Sequence, residues 1–326
     1  METILLQKSG AVYSQQQTSN RKTTHNFVSK VISFVLFVLI VSYPICKIGQ
    51  QKLQEVDVYT PLFEQDFFVL RNDFEVDLAG EVVPIHIEKV KSRYLNELNI
   101  YKRWKKSTNT LRKRAVMWLP IFEEVLKKNQ VPLDFKYVAA VESGLQNNVS
   151  RRGAAGFWQL LPAAAREFGL EVNEEVDERL HPIKSTEAAC RYFKRMYRHF
   201  DNSWSNALAS YNIGLSALGR QLKKQNKSSY YELTLNNETS RYVFKVLALK
   251  EIIEKPKKHG FQEMKRIYPK KVRTITVKET INDLNAFAEA QGIDAYTFFE
   301  HNPWLLTNTL TIKEEGKTYQ LVLPVM

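Results

Sequence analysis

From Ile85 to Lys255 the apolar residues of this 326-residue chain recur at intervals of three and four and nowhere alternate. That spacing lines one face of a helix and gives a strand no consistent buried side, so the stretch is restricted to packed helices. Val90, Tyr94, Leu98 and Tyr101 show the pattern first. Trp118 to Leu126 opens another helix, with Pro120 in a first turn where its missing N–H costs nothing. Ser185-Thr-Glu187 reads as a cap with an acid in the first turn, ahead of Ala189, Phe193 and Tyr197 at spacings of four. Later helices carry Trp204 to Tyr211, and Glu238 through Val246 to Ile253, where Pro256 stops the run. The basic segment Lys102 to Lys113 reads as a solvated helix face.

Composition changes on both sides of this region. Residues 1–26 are polar and read as a flexible tail. Residues 27–46, Phe27 to Cys46, are apolar with Lys30 alone charged, about the length of a membrane-spanning helix. We read them as an uncleaved transmembrane signal anchor, since no Ala-x-Ala site follows. Arg21, Lys22 and Lys30 favour a cytoplasmic N-terminus, which places the large C-terminal part across the membrane. Residues 47–84 form a connector, 85–260 the helical domain and 261–326 a last module. In that module Arg273 to Val277 and Tyr319 to Leu323 have strand character. Ile281 to Gln291 and Tyr296 to His301 read as short helices between them, a small α+β arrangement.

Lys plus Arg exceed Asp plus Glu by 47 to 35, a formal net charge of +12, which suits an anionic partner without choosing one. No nucleic-acid-binding motif accompanies the charge, and export argues against such a partner. The two cysteines are Cys46, where Pro44 and Ile45 are poor replacements for the small residues that precede a lipid-modified cysteine, and Cys190, on an apolar stripe. No Cys or His cluster has the spacing of a metal site, and no cofactor is implied.

The chemistry is concentrated between Tyr137 and Gln159. Val138, Ala139 and Val141 continue an apolar helix that Gly144 is placed to end in a left-handed conformation. Glu142 therefore falls at the end of an apolar helix, where partial desolvation raises a carboxyl pKa and keeps it protonated, as a general acid requires. A surface glutamate at a helix end is the alternative reading of that residue by itself.

Four segments carry a resemblance. Glu142-Ser143, then Ser150 with Gly153-Ala-Ala-Gly-Phe-Trp-Gln159, then Ser210-Tyr-Asn212, then Glu238-Thr-Ser-Arg-Tyr242 resemble, in order and spacing, the signatures of lysozyme-like lytic transglycosylases, and most closely the membrane-bound lytic murein transglycosylase D family. The resemblance runs from about Val83 to Lys255. It implies a mainly α, lysozyme-like catalytic domain behind the N-terminal helix, in the periplasm of a bacterium and tethered to its inner membrane. The implied substrate is peptidoglycan, cleaved without water between N-acetylmuramic acid and N-acetylglucosamine to leave 1,6-anhydro ends, with Glu142 as acid and then base. Ser143, Ser150, Gly156, Gln159, Tyr211, Asn212, Glu238 and Tyr242 match substrate-binding positions. Ser210, Ala164 and Asn236-Asn237 depart from the family pattern, the last pair suggesting a looser loop.

The terminal module resembles a shortened LysM fold, with Trp304 either a stacking platform for glycan or a core aromatic. Two other functions share these features. A hydrolytic muramidase would need a way to activate water, with Asp134, Glu167 and Asp177 close enough in sequence to be candidates. A non-catalytic envelope scaffold would hold wall polymer through the basic surface.

Overall fold

The computed structural model describes residues 75–267 and 271–325. The tail, the apolar run from Phe27 to Cys46 and most of the connector lie outside them. Among the described residues no helix is long and apolar enough to cross a membrane.

The helical domain begins earlier than the connector reading supposes. A two-rung hairpin, β1 (Asp77–Leu78) and β2 (Glu81–Val82), buries Val76, Leu78 and Val83 in the main core. Polar groups fix it there. The Ala79 N–H donates to Asp134 Oδ2 at 2.7 Å, and the Glu81 carboxylate accepts from the Trp204 and Ser205 amides, so it caps a distant helix at its positive end.

Helix α1 (Glu88–Arg103) turns at Trp104 into α2 (Lys105–Lys128). Pro120 is an interior residue of α2 and not a first-turn one. An interior proline leaves the carbonyl four residues earlier without its donor. Here that carbonyl, on Val116, accepts instead from the Ile267 N–H at 3.1 Å, so a segment far along the chain completes the helix. Within the basic stretch, Arg112 departs from the solvated-face reading. It is buried, donates to the Gln262 carbonyl at 2.5 Å and lies over the Phe261 ring.

A single 3-10 turn (Leu133–Phe135) leads into α3 (Lys136–Ser143), which ends at Gly144 with φ 61° and ψ 28°, the left-handed stop expected from the sequence. Then come α4 (Pro162–Glu167), α5 (Pro182–His199), α6 (Trp204–Ile213), α7 (Leu215–Gln225) and α8 (Asn237–Glu254). Helix α5 starts three residues before the expected cap. Ser185 and Thr186 are buried inside it, their hydroxyls returned to the His181 and Pro182 carbonyls at 2.7 and 2.6 Å. Helix α8 carries buried residues from Val243 to Leu249 on nearly every side save Lys245, and packs against α1, α3 and α6. A helix that apolar all round is the centre of its domain. Asn236 does not loosen its start: the side chain accepts from the Thr239 N–H at 2.9 Å. Cys190 is buried, as the apolar stripe implies, and burial pushes its thiol up to about 12.

The last module has the expected order. Strand β3 (Val272–Val277) pairs antiparallel with β4 (Tyr319–Pro324), Ile275 opposite Leu321, and α9 (Leu284–Ala290) and α10 (Ala295–His301) lie between them in sequence. Asp283 and Asp294 cap the two helices through the Ala286 and Thr297 amides. Phe298, Leu310, Leu321 and Leu323 form a separate core. Asn302 is fully buried and behaves as a side-chain rung of the sheet: its amide donates to the Val322 carbonyl and accepts from the Val322 N–H, each at 2.8 Å. Asn302→Ala strands both groups, and we expect a loss of about 2–4 kcal/mol, measured as faster native-state hydrogen exchange of the β4 amides.

Candidate active site

Helix α3 puts Glu142 in its final turn, and α8 brings Tyr242 to it from 100 residues away: the Tyr242 hydroxyl donates to Glu142 Oε1 at 2.5 Å. Tyr242 is 3% exposed and Glu142 half-buried, so the phenol end of the bond is shielded from bulk water. Burial is the largest influence on Glu142 and raises its pKa, with the negative charge of Glu238 adding to the rise. The Tyr242 hydrogen bond and the positive charge of Lys245 pull the other way, and the carboxyl stays above its ordinary value. Tyr242 itself is pushed well above the normal phenol range, first by burial and then by Glu142, so it donates its proton in the bond without giving it up.

Tyr211 forms the adjoining wall. Its hydroxyl donates to the Trp158 carbonyl at 2.6 Å, and its ring stacks on Phe193 with centroids 5.0 Å apart. Burial and the charge of Glu142 both raise its pKa, which places the two groups in one electrostatic environment. Asn212 follows it, half-buried in the last turn of α6, which Gly214 ends at φ 87°. Glu238 sits one turn before Tyr242 on α8 and is exposed.

Next to the Tyr211 bond lies the loop from Asn147 to Leu160. Gln159 has φ 49°, and its amide nitrogen donates to the Gly156 carbonyl at 2.8 Å and the Asn148 carbonyl at 3.1 Å. With its donors spent inside the loop, the group it offers a ligand is Oε1. Gly156 leaves no room for a side chain. At φ 79°, a Cβ there would meet the Arg179 carbonyl oxygen at 1.9 Å, so backbone packs on backbone. Ser150 is exposed and closes the loop through bonds to Ala154, its Oγ accepting from the Ala154 N–H at 3.0 Å. Ser143 is buried with its hydroxyl donated to the Ala139 carbonyl at 2.9 Å, which commits that proton to α3. Trp158 is fully buried and bonds Thr186, the behaviour of a core residue.

Thus Glu142, Tyr242, Tyr211 and Glu238 are coupled directly, and Gln159 adjoins them through Trp158. Lys245 was not among the candidates; it lies one turn beyond Tyr242 on the same helix, a spacing that could have flagged it. Arg179 was missed too, and no local pattern marks it.

Two titration effects follow. Tyr242→Phe removes a bond that favours the carboxylate, so the Glu142 pKa rises further, measurable by carboxyl-carbon NMR titration. Because the native pKa is raised above the unfolded one, the cost of Glu142 to folding builds as pH rises past the unfolded value of about 4.3, is full above the native pKa, and is absent below the unfolded value. Glu142→Gln therefore has a higher melting temperature than wild type at neutral pH and no advantage below about pH 4.

Comparison with known proteins assigns the two modules. Residues 120–234 match the transglycosylase SLT domain, and residues 273–326 match the soluble lytic transglycosylase C-terminal LysM-like domain. Membrane-bound lytic murein transglycosylase D of Escherichia coli K12 is 30% identical over 165 residues, covering 49% of this chain and 36% of that protein. A putative tributyltin chloride resistance protein of Alteromonas sp. strain M-1 is 28% identical over 158 residues, covering 47% of this chain and 74% of that one. Among solved structures, the 70-kDa soluble lytic transglycosylase in complex with bulgecin A is 21% identical, covering 41% of this chain and 24% of that one, with a TM-score of 0.36. The chain spans 36% of the length of the transglycosylase D relatives. The chain therefore holds a mainly helical domain that matches the transglycosylase SLT domain and a C-terminal module that matches a LysM-like domain, and it is homologous to membrane-bound lytic murein transglycosylase D.

Proposed function

We propose that the chain is a lytic transglycosylase that cleaves peptidoglycan between N-acetylmuramic acid and N-acetylglucosamine. The observation that carries this reading is the desolvated Glu142 carboxyl held by the buried Tyr242 hydroxyl beside the Tyr211 wall. Glu142 begins protonated and gives its proton to the glycosidic oxygen as the bond from C1 breaks. The carboxylate so formed takes the proton of the sugar's own C6 hydroxyl as that oxygen closes on C1, which restores the acid and leaves a 1,6-anhydro ring. The developing carboxylate is stabilised by the Tyr242 hydroxyl and by Lys245, both of which favour the charged form. One carboxyl serves both steps because the substrate supplies the nucleophile.

The hydrolytic alternative needs a second group to activate water. The three carboxylates considered for that role are paired with cations. Asp134 pairs with Lys250 at 2.7 Å, Asp177 with Arg179 at 2.7 Å, and Glu167 with Arg195. Glu238 is exposed and acts on Glu142 by raising its pKa, which holds the acid ready.

In this reading residues 27–46 anchor the chain in the inner membrane and the described modules work in the periplasm. The net charge of +12 draws them toward a polymer rich in carboxylates. A Glu142→Gln variant loses cleavage by a factor on the order of 10²–10⁴ while retaining glycan binding. Digestion of purified sacculi followed by mass spectrometry should give muramyl ends lighter by one water; reducing ends throughout would replace this mechanism with hydrolysis, and undiminished turnover in Glu142→Gln would remove the assigned acid.

A further inference from the structure

The strip from Glu171 to Leu180 belongs to two cores at once. On one side it is part of the C-terminal module. Val176 is buried in that module's core and pairs with Leu305 as an antiparallel bridge; the Asp177 N–H donates to the Trp304 carbonyl at 2.9 Å, and the Leu306 N–H donates to the Glu175 carbonyl at 2.8 Å. Side chains reinforce this. The Glu175 carboxylate accepts from the Thr311 amide and hydroxyl at 2.8 and 2.9 Å, and Glu171 accepts from the Tyr319 hydroxyl and pairs with Lys317. Trp304, 1% exposed and stacked on Tyr319, is sealed within the module's core and offers no face to a glycan.

On its other side the same strip holds the active-site loop. Arg179 forms a two-pronged pair with Asp177, Nε to Oδ1 at 2.8 Å and Nη2 to Oδ2 at 2.7 Å, with both side chains 7% exposed. Its remaining Nη1 reaches the carbonyls of Gly153 at 2.7 Å and Leu160 at 3.1 Å, the two ends of the segment that carries Gln159. The Asn147 amide donates to the Leu180 carbonyl at 2.7 Å, and Gly156 rests on the Arg179 carbonyl. A buried ion pair is tolerated only when its other polar groups are also satisfied, so Arg179 cannot shift without giving up bonds to the loop or to Asp177. A lysine has no fork to span them.

We propose that Arg179 is a positioning residue for the Gly153–Leu160 loop, and that the C-terminal module acts on catalysis by clamping the strip that holds Arg179, apart from any hold it has on glycan. Docking at Val176 and at the Asp177 amide fixes the Asp177 carboxylate; that carboxylate orients the guanidinium; the guanidinium fixes the loop beside Tyr211 and Glu142. The inference rests on the reading of this cleft as the site of glycan cleavage.

The test uses the full chain in two variants, Arg179→Lys and the docking-face triple Glu171→Ala, Glu175→Ala, Val176→Ala. Without substrate, hydrogen exchange of the Ala155, Gly156 and Leu160 amides should accelerate by about tenfold or more in both, with α1 amides unchanged as the check on folding; if Arg179→Lys does not fold, the triple variant decides. On sacculi, kcat should fall on the order of tenfold to a hundredfold while KM stays within about twofold. Unchanged loop exchange, unchanged kcat, or a raised KM at constant kcat, which is the signature of a glycan-holding module, would each overturn the proposal. If wild type does not cleave peptidoglycan, the proposed function fails, and the exchange measurement still decides whether module and loop are coupled.

Discussion

The hydrogen bond between Tyr242 and Glu142 joins the last turn of α3 to α8, the described helix with the most buried residues, and the helical packing shields its phenol end from water. A carboxyl group at the end of an apolar helix is expensive to leave without a partner, and a phenol at 3% exposure is equally so. Each satisfies the other. The bond also sets a limit on the shift it accompanies, because a donor to the carboxylate lowers the pKa that burial raises. Glu142 is thereby held between two conditions, dry enough to keep a proton and supported enough to survive as an anion.

Around this pair the aromatic residues act as a frame. Phe193 stacks on Tyr211 and touches Phe135, whose ring centroid is 4.4 Å away; Tyr192 meets Tyr211 edge-on and donates to the Ser210 carbonyl at 2.9 Å. Rings have few rotamers and large contact areas, so a frame built this way moves little. Ser210 fits the same frame, since its hydroxyl turns back to the Ala207 carbonyl at 2.7 Å.

Much of this was legible in the sequence, for identifiable reasons. The helical class followed from spacing, and the end of α3 from a glycine placed after an apolar run, both of which are local signals. The misplaced helix starts show where local signals fail. Ser185 and Thr186 look like caps because their hydroxyls suit that role, yet inside α5 the hydroxyls bond the preceding turn and one of them also receives the Trp158 indole. Pro120 looks like a start because an interior proline orphans a carbonyl, and only Ile267, 151 positions beyond Val116, removes that objection. The packing need at Gly156 was not legible, since nothing nearby in sequence announces the Arg179 carbonyl.

The docking of the C-terminal module was invisible for the same reason carried further. Glu174-Glu175-Val176-Asp177 is an acidic loop by composition, and its one apolar residue has no periodicity to reveal that it completes another core. Trp304, which by type could have been a glycan platform, is instead consumed in that core, and both its backbone carbonyl and its ring reach the helical domain, the ring centroid 5.9 Å from that of His181 and 5.8 Å from Lys184 Nζ. A module attached by a flexible linker could improve substrate capture without touching the chemistry. This one shares a buried strip with the loop beside Glu142 and is continuous with it through Asp177 and Arg179, whose guanidinium holds the carbonyls at both ends of that loop.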